Sequence, residues 1–170
     1  MDYRKYIKNV PDFPIKGIQF KDITPLIGNG KAFKSLIDDI AKDAVDKGAT
    51  KIVGPDARGF IVGTPVAYAL SLPFIPIRKP GKLPRDTYDI SYDLEYGSNS
   101  LSMHKDAIQE GDQVYIVDDL LATGGTLEAT VKLIEQAGGK VCGMAFIIEL
   151  LDLHARDRLS QYPIKAIIQY

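Results

Sequence analysis

Apolar residues recur along this chain with two distinct periods. Between positions 32 and 47, Phe33, Leu36, Ile37, Ile40 and Ala44 fall on one face of a 3.6-residue repeat. That spacing predicts an amphipathic helix, and Gly48 stops it. Residues 51–54 predict a short apolar strand, and residues 59–70 a helix that is mostly buried. Residues 73–77 read as extended, since Pro73 and Pro76 each bias the preceding residue toward β. The strand at 113–117 is strong, with Asp118 and Asp119 following at its carboxyl end. A helix over 126–137 turns Leu127, Val131 and Ile134 inward and closes at Gly138-Gly139, and strands follow at 141–150 and 164–169. Strands alternating with helices imply βαβ units. The expected fold is therefore α/β, a single domain over residues 1–170 with a mainly parallel central sheet flanked by helices. Ligands then bind at the carboxyl ends of the strands.

One segment breaks this pattern. Positions 78–83 are basic and rich in Pro and Gly. Ile90, Tyr92, Leu94 and Tyr96 then alternate with polar residues, and Leu101 and Met103 continue the rhythm beyond Gly97-Ser98-Asn99. Residues 78–104 thus predict a loop leading into a β-hairpin. A loop of this length inside a compact domain commonly serves as a lid.

Composition narrows the function classes. With 170 residues, 45% hydrophobic and 25% charged, the chain can bury a core without staples. Its 21 Lys+Arg against 22 Asp+Glu give a net charge of -1, which argues against a general nucleic-acid or membrane-surface binder. Cys142 is the single cysteine, so no intrachain disulfide forms, as suits a reducing cytoplasm. It lies in an apolar run and reads as a structural thiol. The opening Met1-Asp2-Tyr3-Arg4-Lys5 carries no apolar signal-peptide stretch, and no run approaches the ~18 apolar residues of a membrane span. His104 and His154 are far apart in sequence and have no cysteine neighbours, so no metal site is expected on them.

The most informative run is Val114-Tyr115-Ile116-Val117-Asp118-Asp119-Leu120-Leu121-Ala122-Thr123-Gly124-Gly125-Thr126. It orders a strand, an acidic pair, a small-residue loop and a helix. Thr123-Gly124-Gly125-Thr126 offers successive backbone N–H groups at a helix N-terminus, where unpaired donors and the helix dipole favour a dianionic phosphate. Thr123 and Thr126 add hydroxyl donors, and Ala122 keeps the entry small. No lysine follows the glycines and no GxGxxG pattern is present, so neither a nucleoside-triphosphate loop nor a dinucleotide fingerprint fits. Carboxylates accept hydrogen bonds only, so Asp118 and Asp119 suit the 2- and 3-hydroxyls of a ribose. A phosphate cradle with two carboxylates one sugar-length away describes ribose 5-phosphate. The bland alternative is a strand–turn–helix with an N-cap threonine and a solvated acidic pair. A second candidate anion site is Gly54-Pro55-Asp56-Ala57-Arg58-Gly59-Phe60, where the planar fork of Arg58 can hold a pair of pyrophosphate oxygens. Arg78, Lys79, Lys82 and Arg85 can bring cations to the same anion, or form a solvated basic loop.

The run at 114–126 resembles the phosphoribosyl-pyrophosphate (PRPP) motif of the type I phosphoribosyltransferases. The resemblance extends over nearly the whole chain and is closest to the adenine-specific members. It is carried also by Asp12-Phe13-Pro14, Gly17-Ile18-Gln19-Phe20-Lys21-Asp22-Ile23, Ala57-Arg58-Gly59-Phe60, Arg78-Lys79-Pro80-Gly81-Lys82-Leu83-Pro84 and Leu94-Glu95-Tyr96-Gly97. One position departs from the family pattern, which usually has Glu where Asp56 stands.

The resemblance implies a Mg²⁺-dependent conversion of adenine and PRPP to AMP and pyrophosphate, by a homodimer in the cytoplasm. Residues 1–30 become a hood over the base, with Phe20 stacking on the purine and the backbones of Gln19 and Lys21 reading its edge. Glu95, beside Tyr96, becomes the general acid/base, and Arg58, Ala57, Lys79 and Lys82 face pyrophosphate. Arg78 is expected to reach a neighbouring subunit's site, and a non-proline cis peptide is expected near Asp56, Ala57 or Arg58. Mg²⁺ is held mainly through substrate oxygens and water, without a dedicated protein cage. Two other readings stay open: a 6-oxopurine phosphoribosyltransferase, and a non-catalytic PRPP-sensing regulator of the same fold.

Overall fold

The computed structural model describes residues 1–93 and 98–170. Leu94, Glu95, Tyr96 and Gly97 lie outside the described residues, and with them the expected roles of Glu95 and Tyr96.

A five-stranded parallel sheet forms the centre. Its strands are β3 (Lys51–Pro55), β4 (Phe74–Ile77), β7 (Gln113–Leu121), β8 (Lys140–Glu149) and β9 (Ile164–Gln169), in spatial order β4-β3-β7-β8-β9. All four pairings are parallel. Both faces of such a sheet are covered, so its strands read as near-continuous apolar runs. In β7, Tyr115 and Val117 pack into one core with Ile52, while Val114 and Ile116 pack into the other with Val53.

Helices α2 (Gly30–Asp46) and α3 (Arg58–Leu70) cover the first face, and α4 (Gly125–Gln136) the second. The stripe on α2 is confirmed: Leu36, Ile37, Ile40 and Ala44 are buried, with Phe33 packed against them. Asn29 caps its start by accepting from the Ala32 N–H at 3.0 Å. The buried Tyr115 hydroxyl donates to Asp43 of α2 at 2.5 Å, tying the sheet to that helix.

Two expectations are corrected. Helix α3 is buried on one side only: Val62, Val66 and Ala67 face the core, whereas Ile61 and Tyr68 are exposed, Tyr68 at 89%. A continuous apolar run carries no polar face to mark the outer side, so sequence periodicity missed it. Strand β7 also runs four residues beyond Val117, so Asp118 and Asp119 lie within it rather than after it. Asp118 pairs with Phe146 of β8 in that extension.

The remaining elements stand around the carboxyl edge of the sheet. A hairpin of β1 (Lys8–Pro11) and β2 (Gln19–Asp22) is followed by α1 (Thr24–Gly28). The expected second hairpin is present as β5 (Thr87–Asp93) and β6 (Ser98–His104), with Tyr88, Ile90 and Tyr92 packed on the α4 side of the core. Arg78 is anchored rather than loose, exchanging backbone hydrogen bonds with Ser102 at 3.1 and 2.7 Å. A short α5 (Ala155–Arg158) lies between β8 and β9.

Candidate active site

The sheet order reverses between β3 and β7: the chain leaves β3 toward β4 on one side and β7 toward β8 on the other. Such a switch point opens a crevice at the carboxyl ends of the strands. The two motifs singled out in the sequence flank it. A cavity of about 360 Å³ opens there, between Asp56, Ala57 and Arg58 on the β3 side and Asp118, Asp119 and residues 122–126 on the β7 side.

The phosphate-type loop is built as its composition predicts. Gly124 adopts φ 86°, a left-handed conformation that costs glycine little. It also stands against Ala155 and Leu159, so a Cβ there would sit 3.4 Å from the Ala155 Cβ. Helix α4 has no side-chain N-cap bond, which leaves its first-turn N–H groups directed at the cavity. Thr126 meets a partner not foreseen from sequence, since its hydroxyl lies 2.9 Å from the hydroxyl of Tyr92 on β5.

On the opposite wall, the Asp56–Ala57 peptide is cis, as expected for this loop. Arg58 turns across the crevice, with its Nε 2.5 Å from Oδ2 of Asp119. Gly59 permits this approach, because a Cβ there would stand 2.9 Å from Pro55 and 3.1 Å from Oδ1 of Asp118. Burial, followed by repulsion from the neighbouring Asp119, raises the Asp118 carboxyl well above the usual carboxylate range. Asp118 also accepts from the Asp119 backbone N–H at 2.8 Å, which orients the pair.

The basic segment splits in two. Arg78 lies against its own chain's wall, with Nε 3.1 Å from Oδ2 of Asp56. Asp56 thus keeps a guanidinium partner despite being one methylene shorter than the family's usual residue. Lys79 and Lys82 are exposed and make no ion pair among the described residues.

A second, apolar pocket of about 100 Å³ adjoins the first. Phe20, Ile18, Ile148 and Leu150 line it, and it shares Arg58, Asp119 and Leu120 with the larger cavity. Phe20 stacks edge-on against Phe13, ring centres 5.1 Å apart. On β2 the side chains of Gln19 and Lys21 instead bond Asn9, at 2.7 and 3.0 Å. Their side-chain tips are thereby occupied on β1. Leu120, Ile148 and Leu150 were missed from sequence because apolar strand ends look identical whether they cover a core or a ligand.

Beneath the loop, Glu149 is buried and receives Arg156 at 2.6 and 2.9 Å and Gln169 at 2.8 Å. Those bonds, Arg156 first, hold the Glu149 carboxyl below its usual range against the opposing effect of burial. The pair fixes α5 behind Gly124. Cys142 is half-buried, its thiol pushed up by burial, in keeping with a structural role.

Comparison with known proteins agrees with this geometry. The family model described as the phosphoribosyl transferase domain matches residues 26–168. The chain is 55% identical over 170 residues to an adenine phosphoribosyltransferase of Clostridium botulinum (strain Eklund 17B / Type B), covering 100% of this chain and 99% of that one. The crystal structure of adenine phosphoribosyltransferase from Thermoanaerobacter pseudethanolicus superposes with a TM-score of 0.95 at 48% identity, over 99% of this chain and 98% of that one. The Saccharomyces cerevisiae adenine phosphoribosyltransferase, solved with an imino-altritol bisphosphate and adenine, superposes with a TM-score of 0.93 at 35% identity, over 98% and 97%.

Proposed function

This chain belongs to the phosphoribosyltransferase family, and on that premise we propose that it transfers the phosphoribosyl group of PRPP to adenine, giving AMP and pyrophosphate. The observation that carries this reading is the shared wall of the two pockets. Arg58, Asp119 and Leu120 line both the loop-side cavity and the apolar pocket at Phe20. A ribose placed between them joins a phosphate at residues 123–126 to a purine on Phe20.

In the reaction, the bond from the anomeric carbon to pyrophosphate breaks and a bond to a purine nitrogen forms. Positive charge develops on the ribose ring, as in glycoside cleavage. Asp118 and Asp119 hold the ribose hydroxyls and stabilise that charge. Thr123, Gly124, Gly125 and Thr126 bind the 5-phosphate, with Ala122 at the entry. Arg58 and the Ala57 backbone bind the departing pyrophosphate, joined by Arg78, Lys79 and Lys82 from the basic segment. Phe20 stacks on the purine, and the backbones of Gln19 and Lys21 read its edge. Glu95 exchanges the purine proton, with Tyr96 beside it. Residues 1–30 act as the hood and residues 78–104 as lid and hairpin.

Mg²⁺ would be held mainly through PRPP oxygens and water, without a dedicated protein cage, which fits a cavity whose Asp119 is already paired with Arg58. When bound, it supplies charge neutralisation to pyrophosphate. The reading also includes a homodimer, supported by the exposed apolar side chains Ile61 and Tyr68 on α3; the expected reach of Arg78 into a partner's site is not part of it, since Arg78 is tied to Asp56 of its own chain. It places the enzyme in the cytoplasm, supported by its lone cysteine. No helix among the described residues is long and apolar enough to cross a membrane.

The test is formation of AMP and pyrophosphate from adenine, PRPP and Mg²⁺, repeated with Glu95→Gln. Stoichiometric products that fall sharply in the variant support the reading. PRPP binding without product from any purine overturns it in favour of a PRPP-binding regulator.

A further inference from the structure

Tyr92 is not among the groups assigned to substrate above, yet it reaches the phosphate-type loop. It sits on β5, opposite Asn99 of β6, inside a hairpin whose inner face packs on the α4 side of the core. Its ring lies against the start of α4, where a Cβ on Gly125 would be 3.8 Å from the ring. Its hydroxyl is 2.9 Å from Oγ1 of Thr126. The hairpin that carries Glu95 is thus bonded directly to the loop that binds phosphate.

We propose that Tyr92 is a positioning residue: it orients the Thr126 hydroxyl toward the 5-phosphate and couples phosphate occupancy to the hairpin. This inference rests on the phosphate reading of residues 123–126. The argument is one of donor direction. With the loop free, either hydroxyl can donate to the other. A phosphate dianion accepts only, so the Thr126 O–H must turn to it, leaving the Thr126 oxygen to accept from Tyr92. The result is an ordered relay, Tyr92 O–H to Thr126 O–H to phosphate oxygen, in which each bond polarises the next. Thr126 cannot satisfy the phosphate and keep the hairpin unless Tyr92 donates. Removing the phenol hydroxyl leaves Thr126 free to rotate and removes the bond that links the loop to β5. The ring itself remains packed.

The second half of the relay is fixed to the helix rather than to the loop. The Thr126 carbonyl accepts from the Thr130 hydroxyl at 2.8 Å, so the residue's backbone is held while its side chain turns. The hairpin is also tied to the rest of the chain by the backbone pair of Arg78 with Ser102 on β6. Among the described residues, Tyr92 is the point at which the loop and the hairpin meet by a side-chain hydrogen bond.

The experiment compares wild type, Tyr92→Phe, Thr126→Val, Thr126→Ser and the Tyr92→Phe/Thr126→Val double variant. Ribose 5-phosphate serves as the probe, and hydrogen exchange is followed over residues 87–93 and 98–104. In wild type, ribose 5-phosphate slows exchange both at residues 122–126 and in the hairpin. In Tyr92→Phe the loop is still protected and the hairpin protection is lost. The KM for PRPP rises about fivefold while kcat changes less than twofold, the scale of one lost neutral hydrogen bond. The double variant is no worse than Thr126→Val, and Thr126→Ser retains hairpin protection. Wild-type hairpin protection in Tyr92→Phe, or additive losses in the double variant, overturns the coupling. If wild type fails to bind ribose 5-phosphate at all, the phosphate reading itself falls, and the inference with it.

Discussion

Arg58 and Asp119 meet across the switch point of the sheet, Nε to Oδ2 at 2.5 Å. The sequence suggests different parts of the substrate for them, pyrophosphate for the arginine and the ribose hydroxyls for the aspartate. The structure joins them into the wall between two pockets. The Asp119 side chain is only 9% exposed, and the Arg58 guanidinium is the cation that faces it. Arg58 also lies over the Phe20 ring, with Cζ 5.7 Å from its centre. One guanidinium therefore touches both the acidic pair and Phe20 while lining the larger cavity.

Arg58→Ala is expected to lower kcat/KM by about 10²-fold, the usual scale for losing one preorganised charge donor. Arg58 is half exposed, so the structural loss is small, about 2–4 °C in Tm. Arg58→Lys restores part of the stability but little of the activity, because an ammonium cannot span two oxygens. Steady-state kinetics and thermal melts on the same samples check both.

Asp118→Asn should stabilise the fold while weakening PRPP binding. The Asp118 carboxyl is raised in the folded state, by burial first and then by Asp119. Below the unfolded carboxylate value both states are protonated and the variant gains nothing. As pH rises from there toward the raised folded value, the unfolded chain gives up its proton and wild type loses stability that the amide keeps. The Tm advantage of Asp118→Asn therefore grows with pH and then levels. An advantage that shrinks as pH rises contradicts this account.

Glu149→Gln tests the support under the phosphate loop. Arg156 and then Gln169 depress the Glu149 carboxyl, so its contribution is present above the unfolded value and is lost as pH falls through the depressed one. At neutral pH the variant should lose about 1–3 kcal/mol in urea unfolding, and the gap to wild type should close in acid. Loosening α5 behind Gly124 should also raise the KM for PRPP more than it lowers kcat.

Gly59→Ala probes the close approach of α3 to β7. Its Cβ would stand 2.9 Å from Pro55 and 3.1 Å from the Asp118 carboxylate. Neither neighbour is a free side-chain end, so the helix must shift, at a cost of about 1–3 kcal/mol. Urea unfolding should show that loss, together with a fall in kcat/KM as Arg58 moves off Asp119.

The fold was legible where periodicity carried it. The stripe on α2, the apolar run of β7 and the inward face of α4 each identify their element, because burial on a defined side leaves a defined spacing. The outer side of α3 was not legible: Ile61 and Tyr68 are as apolar as the residues that face the core. Site residues followed the same division. The loop at 122–126 is local, and its backbone chemistry can be read from consecutive residues. The Arg58–Asp119, Tyr92–Thr126 and Glu149–Arg156 contacts join separate elements, and their partners are set by sheet order and register, which no local window contains. Leu120, Ile148 and Leu150 were hidden for a related reason, since only the three-dimensional pocket distinguishes them from core.

The central claim is that the pocket at Phe20 accepts adenine for transfer from PRPP. Equimolar adenine, hypoxanthine, guanine and xanthine, offered together with PRPP and Mg²⁺, test it most directly when the nucleotide products are quantified. The account predicts AMP as the dominant nucleotide, with pyrophosphate released in equal amount. Preferential formation of IMP, GMP or XMP would contradict it.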